Sequence, residues 1–243
     1  MAVRKDILYL PFGFPPLDER GKTALISLCI GFWSCTGLII AIFVSVIRPF
    51  GFYMLLLGIF HFLEYFFQVL YNPLSTNTDG FLINHSKEYI TALFLSCLEY
   101  FLFFYNSPYI KSFHWISFLG LFISLCGQFL RTAAIICAGS NFTHQISSGQ
   151  KQANHRLVTS GVYKISRHPS YLGWFLWSLG SQILLSNPLC FVGFLIVSLK
   201  FFKERIELEE FWLVLFFGED YEAYRERVPS RIPFLDSILN KKK

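Results

Sequence analysis

Four long apolar runs constrain this chain more than any other feature: Thr23 to Ile47, Phe50 to Tyr71, Tyr89 to Tyr105 and Phe113 to Ala138. A helix needs about 20 mainly apolar residues to cross the hydrocarbon layer of a bilayer. Only a helix or a closed barrel can satisfy its own backbone polar groups there. Each run is therefore expected to be a membrane-spanning helix. Composition agrees, since 53% of the 243 residues are hydrophobic and 15% charged, too few charges to wet the surface of a soluble domain. The first two runs are separated only by Arg48-Pro49, which predicts a tight interhelical turn with the proline as breaker.

Past Gly139 the texture changes. Asn141 to His168 is polar and contains Lys151, Arg156, Lys164 and Arg167, so it is expected outside the membrane. Tyr171 to Leu185 and Leu189 to Leu199 are apolar but short for spans, and Asn187-Pro188 between them reads as a turn. The pattern predicts a helical hairpin. Its second arm is expected to run on past Lys200 as an amphipathic helix to Phe217, where Gly218 stops it. The expected class is thus an all-α polytopic membrane protein of about six membrane helices. Residues 1–138 would form an N-terminal transmembrane part, and residues 139–243 a C-terminal region with a pocket facing the cytosol.

Basic residues outside the spans favour the cytosolic side. Arg4, Lys5, Arg20 and Lys22 precede the first span, Lys87 the third, and Lys151, Arg156, Lys164, Arg167 and the tail follow the fourth; the other side has Arg48 and Lys111. Both termini are therefore predicted cytosolic. The net charge of +5 is accounted for by basic residues facing anionic lipid and calls for no nucleic-acid partner. Met1 to Leu17 does not resemble a cleaved signal peptide, so the first span would serve as the insertion signal. The sequons at Asn84 and Asn141 fall on the cytosolic side and should stay unmodified. Six scattered cysteines, Cys29, Cys35, Cys97, Cys126, Cys137 and Cys190, have no spacing suited to zinc or disulfides and read as packing residues; no metal is expected.

Polar residues inside spans need a reason, because hydrocarbon penalises them. His61 and Glu64 lie one turn apart in the second run, Glu99 in the third, and His114, Gln128 and Arg131 in the fourth. They read either as a polar cavity or relay, or as hydrogen bonding and charge pairing between helices, and the second reading is favoured.

Gly161 to Tyr171 is denser in functional groups than anything before it. Pro169 pushes His168 out of helical geometry and can itself open a helix, whose first amides would be free for a ligand. Arg205 and Glu209 are four apart and share a helix face, with Lys203, Glu207 and Glu210 on others. Such a pair is ordinarily helix support, but here the helix has just left lipid and one face would be desolvated. The sequence has no Gly-x-Gly-x-x-Gly turn, P-loop, catalytic-triad signature or metal cluster. A cofactor would have to be held by loops and helix ends at the bilayer surface.

The stretch from His155 to Phe234 carries more specific marks: His155-Arg156-Leu157-Val158-Thr159-Ser160-Gly161-Val162-Tyr163, Arg167-His168-Pro169-Ser170-Tyr171, Gly173-Trp174-Phe175, Asn187-Pro188, Phe201-Phe202 with Arg205, Glu209-Glu210, Phe216-Phe217-Gly218 with Tyr221, and Val228-Pro229 with Ile232-Pro233-Phe234. It resembles the isoprenylcysteine carboxyl methyltransferases, endoplasmic-reticulum membrane enzymes that methylate the C-terminal prenylcysteine of processed CaaX proteins. The resemblance covers about a third of the chain closely and the helical half more weakly. It implies S-adenosylmethionine as cofactor, held by His155, Arg156, Leu157, Val158, Tyr163, His168, Pro169, Ser170, Tyr171 and Glu209. It also implies farnesylated or geranylgeranylated proteins as partners, with Arg205 contacting the substrate and Arg167 assisting with a carboxylate. Animal members of the family have eight membrane helices, so this sequence reads as a shorter six-helix form.

Two other readings stay open on residues alone. One is an enzyme of similar C-terminal architecture, such as an NADPH-dependent sterol reductase or a phospholipid N-methyltransferase. The other is a non-catalytic receptor or transporter using His61, Glu64, Glu99 and Arg131, which would leave the C-terminal constellation without a role.

Overall fold

A computed structural model describes residues 17–84, 86–111, 114–144, 156–233 and 235–236. The described residues form α1 (Glu19–Phe43), α2 (Arg48–Tyr71), α3 (Lys87–Asn106), the single turn α4 (Pro108–Lys111), α5 (Trp115–Ala138), α6 (Pro169–Leu184), α7 (Pro188–Phe217) and α8 (Glu219–Arg227), joined by short 3-10 turns and loops. Four segments are long and apolar enough to cross a membrane: Glu19–Phe43, Ser45–Tyr71, Lys87–Asn106 and Trp115–Asn141. Their outer faces expose Phe32, Phe94, Phe118 and Phe129, as expected where lipid is the solvent.

The first boundary differs from the sequence expectation. Helix α1 ends at Phe43, the chain turns through Ser45–Ile47, and Pro49 lies inside the first turn of α2. Proline is tolerated there because the first amides of a helix have no intrahelical partner. It starts the second helix and does not break the first. The cysteines also differ: Cys29, Cys35, Cys126 and Cys137 are exposed on the helix surface, and only Cys97 and Cys190 are half-buried. In a membrane protein an apolar cysteine can face lipid as readily as the core.

The hairpin forms as read from the sequence. Arm α6 has 16 residues, about 24 Å at 1.5 Å per residue, which is short of a hydrocarbon layer of about 30 Å. Arm α7 has 30 residues and ends where Gly218 takes φ +52°, a conformation costly for side chains with a Cβ. Helices α5 and α6 run antiparallel along a glycine seam. A Cβ at Gly127 would lie 2.5 Å from the Trp177 nitrogen, and one at Gly173 would lie 2.6 Å from the Arg131 nitrogen. Small residues let the backbones approach closely, which supplies the dispersion contacts that hold helices together in lipid. This seam places Arg131 beside the start of α6.

The hairpin turn is fastened from outside. Glu99 on α3 accepts from the first amides of α7, Leu189 N at 2.9 Å and Cys190 N at 2.6 Å. Lys111 donates to the end of α6, to Leu185 O at 3.1 Å, Ser186 O at 2.7 Å and Asn187 Oδ1 at 2.7 Å. An anion at a helix N-terminus and a cation at a C-terminus both complement the helix dipoles. Burial pulls the Lys111 ammonium down to about 8, against the attraction of Glu99. At the other end of the hairpin the C-terminal segment folds back, burying Ile232 and Leu235 against Phe175, Phe202 and Ile206.

Candidate active site

The open end of the hairpin holds a cleft with about 910 Å³ of empty space, counting its mouth. Pro169 opens α6, and His168 just before it leaves helical geometry at φ −126°, ψ 57°, as the His-Pro order dictates. In the C-terminal half of α7, Arg205 and Glu209 project to the same side, as their spacing of four requires. The cleft is lined by these residues together with Tyr163, Arg167, Pro169, Ser170 and Tyr171. The sequence-derived set thus converges, apart from its first segment. Arg156, Leu157 and Val158 are not among the lining residues; the Arg156 amide instead bonds Asn141 Oδ1 at 2.8 Å, at the rim. His155 lies outside the described residues.

Arg205 and Glu209 are not engaged merely as helix support. The Arg205 Nε donates to the Tyr171 hydroxyl at 3.0 Å, and its Nη2 to the His144 carbonyl. One Glu209 oxygen, Oε2, is buried and carries no hydrogen bond among the described residues, as do Arg167 Nη2 and Trp212 Nε1. All three residues line the cleft. A buried polar atom without a partner costs about 1–3 kcal/mol, so such atoms gathered in one cavity mark a place where a ligand completes the structure.

Arg167 is bound in large part to the protein itself. Its Nε donates to Glu210 Oε1 at 2.5 Å, and its Nη1 to Val228 O at 3.0 Å, with Asp236 Oδ1 at 3.2 Å. Glu210 also receives His168 Nε2 at 3.1 Å. Burial alone would raise the Glu210 carboxyl, but the His168 hydrogen bond and the Arg167 charge override it and hold it at about 2. Glu210 is therefore the buried anion that locks the Arg167-His168 corner to α7. Helix geometry placed it on a face away from Arg205 but gave no hint of what packs there. The C-terminal segment closes the corner: Ser166 Oγ donates to Ser230 O at 2.6 Å, and Arg167 N to Pro229 O at 3.1 Å.

The transmembrane part contributes as well. Arg131 pairs with Glu64 through two nitrogens and donates to Ser170 Oγ at 2.8 Å. Its guanidinium lies 4.9 Å from the Trp174 ring centre. His144 Nε2 donates to the other side of the pair, Glu64 Oε2, at 2.8 Å. His61 bonds Phe81 O at 2.7 Å and Tyr89 at 3.1 Å. These contacts are interhelical charge pairing and hydrogen bonding, as the favoured sequence reading had it, yet Arg131 and His144 also line the cleft. His144, Trp212 and Glu210 were missed, the last despite standing next to Glu209 in the sequence.

Comparison with known proteins finds consistent matches. The sequence profile of the isoprenylcysteine carboxyl methyltransferase (ICMT) family matches residues 118–215, the stretch holding α5, the hairpin and Arg205. Protein-S-isoprenylcysteine O-methyltransferase of Xenopus laevis is 45% identical over 89% of this chain and 75% of its own. The Homo sapiens protein of that name is 42% identical over 90% and 77%. A solved structure of the eukaryotic intramembrane Ras methyltransferase ICMT superposes with a TM-score of 0.85 at 42% identity, covering 88% of this chain and 76% of that one. With an all-helical membrane frame, a matching fold and relatives more than 40% identical over most of both chains, this chain belongs to the isoprenylcysteine carboxyl methyltransferase family.

Proposed function

We propose that the cleft binds S-adenosylmethionine and that the chain esterifies the carboxylate of a C-terminal prenylcysteine on processed CaaX proteins. The observation that carries the reading is that Arg205 and Glu209, one turn apart on α7, line the same cleft as His168, Ser170 and Tyr171 at the start of α6. The residues present fit the cofactor: a buried carboxylate oxygen of Glu209, 3.9 Å from His168 Nδ1 and without a hydrogen bond among the described residues, and the Trp212 N–H suit a ligand that is cationic and rich in hydrogen-bonding groups. Tyr163, His168, Pro169, Ser170, Tyr171 and Glu209 would hold it, with Arg156 bonded to Asn141 at the rim. When bound, S-adenosylmethionine supplies a methyl group on a positively charged sulfur.

The protein's own residues then have a positioning task. A carboxylate is ionised at neutral pH, so no general base is required. Arg205 holds that carboxylate as a planar two-point partner and aligns it for in-line attack, while the cleft walls exclude water. Arg167, with two of its nitrogens committed to Glu210, Val228 and Asp236, keeps the corner in place and presents its remaining Nη2 to the cleft. Trp174, Trp212, Leu213 and Phe216 give the lining an apolar component suited to a prenyl chain arriving laterally from lipid. In this reading residues 1–138 are the membrane frame, α6 and α7 bring the membrane helices to six, and the cleft and both termini face the cytosol at the endoplasmic reticulum.

The test is transfer of labelled methyl from S-adenosylmethionine to N-acetyl-S-farnesylcysteine by purified protein. Label recovered as a base-labile methyl ester is expected. Label on phospholipid nitrogen alone, or none at all, would contradict the proposal.

A further inference from the structure

We propose that His144, tied by its ring to the buried Glu64, is a positioning residue that sets the orientation of Arg205. The inference rests on the reading of Arg205 as the partner of the substrate carboxylate. An arginine side chain is long and has many rotamers, so a two-point grip demands that its plane be fixed beforehand. Two acceptors fix it: the Tyr171 hydroxyl at Nε and the His144 carbonyl at Nη2. The guanidinium also lies 5.7 Å from the Tyr171 ring centre. Nη1 carries no hydrogen bond among the described residues, and with the second N–H of Nη2 it forms the edge left for a two-point grip.

Tyr171 belongs to α6 and its ring stacks on His168, 5.7 Å between centres at 12°. The carbonyl of His144 has no such element behind it, because it follows α5 on a loop. A loop carbonyl orients an arginine only if the loop is pinned, and here three contacts pin it. Asn72 Nδ2 donates to Phe142 O at 3.0 Å. The His144 ring meets the Phe142 ring edge-on at 5.6 Å. Its Nε2 donates to Glu64 Oε2 at 2.8 Å, where the Glu64 side chain is 1% exposed.

The last contact is the informative one. Glu64 is already matched in charge by Arg131, which takes both its oxygens, so the helix frame does not need His144 for neutrality. The histidine adds a link from that buried pair, through one residue, to the one cleft arginine that faces the proposed carboxylate. A residue acting this way changes how the acceptor substrate is held without changing the cofactor's own contacts.

The experiment is a double-mutant cycle of His144→Ala with Arg205→Lys, reading kcat and KM for N-acetyl-S-farnesylcysteine and, separately, the affinity for S-adenosylhomocysteine. His144→Ala is expected to lower kcat/KM for the acceptor about tenfold or more, chiefly through KM, with cofactor affinity little changed. His144→Gln, whose amide can reach Glu64, should recover most of the loss. In the Arg205→Lys background the second change should add almost nothing, since residues acting through one another are not additive. Full additivity, with Arg205→Lys itself impaired, would overturn the role of His144 while leaving that of Arg205 standing. Wild-type turnover by Arg205→Lys would overturn the reading of Arg205 and this inference with it. Should the alanine variant not fold, His144→Asn, polar but too short to reach Glu64, takes its place in the cycle with the same expected outcome.

Discussion

At its turn the α6–α7 hairpin buries Glu99, Lys111 and Asn187, each engaged through both its oxygens, three acceptors or both ends of its amide. At its open end it holds Arg167, Glu209 and Trp212, each with a buried atom that has no hydrogen bond among the described residues. The same helices thus meet charged groups at both ends, with opposite results. Where the charged groups are satisfied within the protein they finish the architecture, and where some are left over beside a cavity they await a ligand. Changes at the turn should therefore cost stability, and changes at the open end should cost binding and rate.

The largest effect is expected at the turn. Lys111→Met removes the cation that caps α6 and leaves Leu185 O, Ser186 O and Asn187 Oδ1 without their donor, at about 1–3 kcal/mol for each buried group left unsatisfied. Thermal unfolding in detergent should show a large loss of stability, while the protein that remains folded binds S-adenosylhomocysteine normally. Next comes acid. Glu210 is held at about 2 in the folded protein against an ordinary 4.5. Its contribution is thus fully present above pH 4.5 and is lost as pH falls toward 2, by up to about 3 kcal/mol. Melting temperature should decline across that window, and Glu210→Gln should flatten the decline. Arg205→Lys keeps the charge but removes the fork, and should lower methyl transfer about 100-fold while cofactor binding persists. Normal turnover would return Arg205 to mere helix support.

Smaller effects sharpen the contrast. Glu209→Ala and His168→Ala should each weaken S-adenosylmethionine binding about tenfold in calorimetry, with the protein still folded; unchanged affinity in both would displace the cofactor from this cleft. The smallest expected effect is none: Asn84 and Asn141 should show no endoglycosidase-sensitive mass. Asn141 already uses its side chain to bond Ala138 O and the Arg156 amide.

The two ends were not equally legible in the sequence. The hairpin could be read because Asn187-Pro188, Gly218 and the lengths of the apolar runs are local signals. Its fastening could not, since Glu99 and Lys111 act on residues far along the chain, and a carboxylate that caps another helix leaves no trace in its own. The end of α1 was misjudged because proline marks the start of a helix as well as a stop. At the open end, Arg205 and Glu209 declared a shared face through their spacing of four, and Arg167 to Tyr171 declared a helix start. What Arg167 would touch depended on Glu210, Val228 and Asp236 arriving from elsewhere in the chain. His144 sits on a loop where no periodicity applies, and Glu64 on α2 and Arg131 on α5, 67 residues apart, meet only because those two helices pack against each other.

The most direct measurement is a structure of the protein with S-adenosylhomocysteine bound. The ligand should occupy the cleft at the open end of the hairpin and give hydrogen-bond partners to Glu209 Oε2 and Trp212 Nε1, with the Glu99 and Lys111 contacts at the turn unchanged. A ligand bound elsewhere, or one that leaves Glu209 Oε2 without a partner, would contradict the account.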